Sequence, residues 1–182
     1  MKILCFRKKD FKVISDALEI AEDVTANFYK FSTSEWKKRH KYDVETLIAL
    51  KKHQISNKAF ALICKDVIKD LKQIPNQTFG VYLICLQDHV ILNTLLKDKN
   101  LSLLPFLVYI LTHELVHIVR FCNYYVHFNA PKEVKEKEEK IVNLITFDIL
   151  KSVMLPKLSY VLEWFGVGIM DGQKPPGGVW PS

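Results

Sequence analysis

His113, Glu114 and His117 are the residues of this 182-residue chain whose types and spacing point most directly to chemistry. Residues four apart on a helix lie one above the other, so the imidazoles of His113 and His117 can hold one divalent metal ion between them. Glu114 is turned about 100° from His113. It can stay outside the coordination sphere, take a proton from a metal-bound water and pass it to a leaving amine. Zinc makes such a step feasible near neutrality, because it lowers the pKa of a bound water to about 7. That is the physical content of the HExxH pattern. Phe106, Leu107, Ile110 and Leu111 precede the motif. Two histidines and a glutamate in so apolar a helix are costly unless they have partners.

A catalytic zinc usually has three protein ligands and one open position. A third histidine on the same segment does not fit, because the positions where a glycine and then a histidine would follow hold Arg120 and Asn123. His127 stands at no recognised ligand spacing and reads as a loop residue. The next helical segment offers Glu136, Glu138 and Glu139. Val134, Ile141, Val142, Ile145 and Ile149 mark its apolar stripe. Glu138 falls in the middle of that stripe, Glu136 points away, and Glu139 sits at the margin. Glu138 is therefore the preferred third ligand. Glu139 is the alternative, supported by Asn143 one turn later as a partner for a coordinating carboxylate. Arg120, three residues after His117, is a candidate contact to the transition state or substrate, with Tyr124 and Tyr125 as further donors. The plain alternative is that Arg120 pairs with a carboxylate such as Asp148.

With HExxH on one helix and a glutamate on the next, the chain resembles the gluzincin metallopeptidases. More narrowly it resembles the small single-domain gluzincins and the ImmA/IrrE-type core, over residues 78–156. The resemblance implies a Zn2+ cofactor, peptide-bond hydrolysis with Glu114 as general base, and a peptide or protein substrate. It also implies that a strand within 78–95 pairs with extended substrate. A zincin-fold binding or regulatory protein with a structural metal and no turnover is the alternative. A helical nucleic-acid-binding protein with an incidental histidine pair is a third reading.

The elements that must position these residues read as an α+β fold. It is a mostly helical, zincin-like domain with a small β-hairpin or sheet, a metal-binding helix and a glutamate helix. Apolar periodicity predicts helices over 11–31, 34–53 and from Ser56 to about Leu71. Runs at 78–86 and 90–95 read as the two strands of a hairpin. The metal helix is expected over 103–121. The glutamate helix runs from 131 or 132 to 155, where Pro156 breaks it, and a short helix follows over 158–165. Three regions result: an N-terminal helical region, 1–77, packed on the core; the catalytic core, 78–165; and a flexible Gly/Pro-rich tail, 166–182. Either extension can lie across the cleft and hold the site latent.

Hydrophobic residues make up 49% of the chain and charged ones 25%, which supplies a normal globular core. The net charge of +6 is spread over helical lysines and does not single out nucleic acid as a partner. Cys5, Cys64, Cys85 and Cys122 form no Cys-x-x-Cys pair, and three of them have apolar neighbours. They read as reduced thiols. No signal peptide and no membrane-spanning run stands out, so a soluble, cytoplasmic chain without a membrane partner is expected.

Overall fold

In a computed structural model, which describes residues 4–66 and 81–170, two α-helices are followed by three short strands and then by four more α-helices. In chain order they are α1 (Lys8–Phe28), α2 (Thr33–Arg39), β1 (Tyr42–Glu45), β2 (Ala61–Asp66), β3 (Val81–Leu86), α3 (Asp88–Lys97), α4 (Leu103–Cys122), α5 (Lys132–Leu150) and α6 (Leu158–Met170). The fold is α+β, mostly helical with one small sheet. The strands lie in the order β1-β3-β2, with β1 parallel and β2 antiparallel to the central β3.

α4 is the axis on which the rest is packed. Nearly all of its residues from Pro105 to Phe121 are buried. α1 lies along it most extensively, and α5, α6 and β2 also approach it. Ala17 and Ala21 lie on the buried face of α1, where small side chains let the two helices come close. By length and apolarity α4 also passes for a membrane-crossing helix, contrary to the expectation that no run reaches that length. Yet 83% of it is buried inside this protein, as for a central core helix.

Two polar side chains at the end of β3 tie the early chain to this core. The buried Asp88 carboxylate accepts from the backbone N–H of Phe6 and of Leu47, both at 2.9 Å. Gln87 accepts from the N–H of Ser56 and donates to the carbonyls of Gln54 and Cys85. Satisfied buried hydrogen bonds of this kind fix chain path more than they add stability.

Several expected elements change type. The helix expected over 34–53 stops at Arg39, and β1 follows it. The helix expected from Ser56 does not form over the described residues: 56–60 are irregular and 61–66 are strand β2, while its continuation at Val67, Ile68 and Leu71 lies outside the described residues. Ala61, Leu62 and Ile63 are all buried, and a strand covered on both faces mimics a helical apolar pattern over so short a run. The hairpin does not form. Its first half is β3, whereas 90–95 belongs to α3, in which Thr94 bonds back to the carbonyl of Val90. Consequently the N-terminal region supplies two of the three strands. α5 ends at Leu150, ahead of Pro156, and α6 continues past Gly166 to Met170. Residues 171–182 of the tail lie outside the described residues, so the idea that they cross the cleft has no structural counterpart here.

Candidate metal centre

On α4, residues 109, 113, 117 and 121 fall on one face because each follows the last by four. They are Tyr109, His113, His117 and Phe121, and their rings form a ladder. Tyr109 lies parallel to His113 at 6.4 Å and 21°, and Phe121 parallel to His117 at 5.9 Å and 18°. The two imidazoles meet edge-on at 4.8 Å. Flanking aromatic rings restrict rotation of the imidazoles and hold both Nε2 atoms toward the same point. The sequence reading missed Tyr109 and Phe121, although the four-residue spacing that selected the histidines also selects them.

The Nε2 atoms of His113 and His117 are 3.2 Å apart. α5 brings a carboxylate to them, and it belongs to Glu139. Its oxygens lie 3.4 Å from Nε2 of His113 and 3.2 Å from Nε2 of His117. Glu139 Oε1 nevertheless has no aligned hydrogen-bond partner. Each of the three residues offers a ligand atom within 4.8 Å of the others, close enough for one cation to be shared. In tetrahedral coordination with bonds of 2.0–2.1 Å, donor atoms are separated by roughly 3.3–3.4 Å. The group His113, His117 and Glu139 can therefore hold a metal ion.

Glu138, the preferred third ligand, is buried as its place in the stripe demanded, but Arg120 engages it. The guanidinium donates to both carboxylate oxygens, from Nε to Oε1 and from Nη2 to Oε2 at 2.9 Å. Arg120 also lies over the Tyr125 ring, 5.3 Å from its centroid. Through these contacts Arg120 ties α4 to α5. Its partner is not Asp148, which pairs with Lys151. Asn143 does not support Glu139 either: it accepts a 3.4 Å bond from the Tyr109 hydroxyl. His127 and Tyr124 are exposed in the loop after α4 and do not belong to the group of His113, His117 and Glu139.

Electrostatics at these residues follow from burial and proximity. Burial acts to raise Glu139, but the neighbouring imidazoles outweigh it and hold the carboxyl at about 2. Burial acts against a proton on His113, but the Glu139 carboxylate outweighs that and raises His113 above its ordinary value. Burial also raises Glu114, partly offset by His113 and His117. Glu114 is buried and makes no hydrogen bond among the described residues.

The substrate strand cannot be β3, the described part of the expected hairpin. β3 is paired on both sides, so its hydrogen-bonding groups are already used. The sheet edges are β1 and β2, and β2 is the strand that approaches α4.

No protein-family model, curated protein or solved structure matches the chain. The functional reading rests on the site alone.

Proposed function

We propose that this protein is a zinc-dependent metallopeptidase of the gluzincin kind. Zinc is held by His113, His117 and Glu139, and Glu114 is the general base. One observation carries the reading: His113 and His117 on α4 and Glu139 on α5 converge, with Nε2–Nε2 and Nε2–oxygen separations of 3.2–3.4 Å, and Glu114, which makes no hydrogen bond among the described residues, is next in sequence to the first of them. Zinc is favoured by the two-imidazole, one-carboxylate donor set and by four-fold coordination that leaves one position for water.

When bound, the metal supplies a water acidified to a pKa of about 7 and a positive charge for the carbonyl oxygen. The chain's own residues do the rest. Glu114 accepts the proton of that water and returns it to the leaving amine nitrogen. The ring ladder on α4 keeps the two imidazoles aligned. β2, an edge strand of the sheet among the described residues and close to α4, offers main-chain donors and acceptors to an extended peptide.

The test is hydrolysis of a broad peptide library by the zinc-loaded chain and its Glu114→Gln variant. The proposal expects turnover in the wild type and a loss of about 100-fold or more in the variant, with zinc content unchanged. Zinc bound at one per chain with no turnover on any peptide would instead make the metal structural and the protein a binding module.

A further inference from the structure

Charge of one sign gathers around a cavity of about 220 Å³ at the C-terminal end of α4. Arg39 at the end of α2, Lys41 ahead of β1, Lys65 on β2 and His127 in the loop after α4 converge there, with Tyr82 and Phe121 as walls. All four basic side chains are exposed, and none forms an ion pair with a carboxylate among the described residues. Lys65 is held over the Tyr82 ring, 5.9 Å from its centroid. Like charges around a concavity repel one another and raise the local concentration of anions.

Two further observations connect this cavity to substrate. Phe121, one of its walls, also stacks on the metal ligand His117, so the cavity lies one helical turn from the metal centre. Lys65 stands near the end of β2, an edge of the sheet among the described residues, beside α4. A peptide paired along that edge passes α4 and is led toward Lys65. The rim is strained as well. Tyr124 has a left-handed backbone, φ 58°, just past the end of α4, where glycine is the usual residue, and its side chain is 85% exposed. That conformation presents an aromatic ring at the mouth of the cavity.

We infer that this cavity is a subsite for a peptide carboxylate, so that the substrate is an acidic peptide or places its own C-terminus here. The link to catalysis rests on the peptidase reading; binding does not require turnover.

The experiment uses the full-length, zinc-loaded Glu114→Gln variant and three fluorescent peptides of equal length. One has acidic side chains and an amidated C-terminus, one is neutral with a free C-terminus, and one is neutral and amidated. The expected result is at least about tenfold tighter binding of one of the first two than of the third, weakening as salt is raised. Adding Lys41→Ala and Lys65→Ala removes that preference without changing zinc content. The first peptide winning assigns the subsite to an acidic side chain, and the second to the C-terminus. Equal binding of all three overturns the inference, as does a preference that survives the double substitution. So does a single-stranded oligonucleotide that binds through Lys41 and Lys65 while the peptides do not discriminate. The same peptides given to wild type separate the two claims. Cleavage without charge preference removes the subsite and leaves the peptidase. Carboxylate-dependent binding with no cleavage removes the peptidase and leaves the subsite.

Discussion

Glu138 and Glu139 are consecutive residues of α5 whose carboxylates go to different partners, Glu138 to Arg120 and Glu139 to His113 and His117. A rotation of about 100° per residue separates them around the helix. Both partners come from α4, Arg120 one turn below His117's level and the histidines above it. The ion pair thus sets the height and rotation of α5 against α4, and with it the reach of Glu139.

Removing Arg120 tests that clamp. The Glu138 side chain is 4% exposed, so Arg120→Ala leaves a buried carboxylate without its countercharge. A loss of about 3 kcal/mol is expected, measured by urea unfolding of the metal-free chain. Replacing both residues, Arg120→Met with Glu138→Leu, restores most of it, because an apolar pair needs no countercharge. A single variant as stable as wild type would show that the clamp does not hold the helices together.

Zinc affinity depends on pH through His113. The Glu139 carboxylate raises the pKa of His113 above the ordinary value, so the ring keeps a proton to higher pH than a free imidazole, and wherever that proton is present a metal ion has to displace it. The ion pair it forms with Glu139 stabilises the metal-free chain fully below the ordinary value of 6.5, and this is lost as pH rises through the raised value. Zinc binding should therefore tighten as pH rises, with a proton release that fades once pH exceeds the raised value. Calorimetry in buffers of different ionisation enthalpy measures it. Equal affinity at pH 6 and pH 8 would contradict the assignment of His113.

His40 governs a separate acid sensitivity. It is buried between the rings of Phe31 and Trp36, and burial pushes it down to about 4. The unfolded chain takes up the proton first, at about 6.5, so stability is full above that value and falls as pH drops toward 4. Allowing for partial solvation of the ring, the loss is about 2 kcal/mol. His40→Phe should flatten this part of the stability profile, as read from urea midpoints at pH 7 and pH 4.5. An unchanged slope would mean that other groups carry it.

The parts of the fold legible in the sequence are those where one segment contains its own signal. The run around His113 and His117 is long and apolar enough to fix α4, and the spacing of four fixes the ligand pair. Glu138 was correctly placed on a buried face. What a single helix could not reveal is that α4 sends a guanidinium to that face, which leaves the marginal Glu139 to the histidines. The expected stripe was also off-centre: Val134 and Ile141 are exposed, whereas Val142, Thr146 and Ile149 are buried. β1 was illegible because it spans only four residues and is defined by a parallel partner about 40 residues away. The segments 61–66 and 90–95 exchanged types because short apolar runs carry no reliable period.

Zinc titration of the metal-free chain, wild type beside Glu139→Ala and Glu138→Gln, tests the metal centre most directly. The account predicts one zinc per chain in the wild type and in Glu138→Gln, with the latter less stable. It predicts a loss of affinity of at least about 100-fold in Glu139→Ala, where one of three ligands is missing. Wild-type affinity in Glu139→Ala, or loss of zinc only in Glu138→Gln, would contradict it.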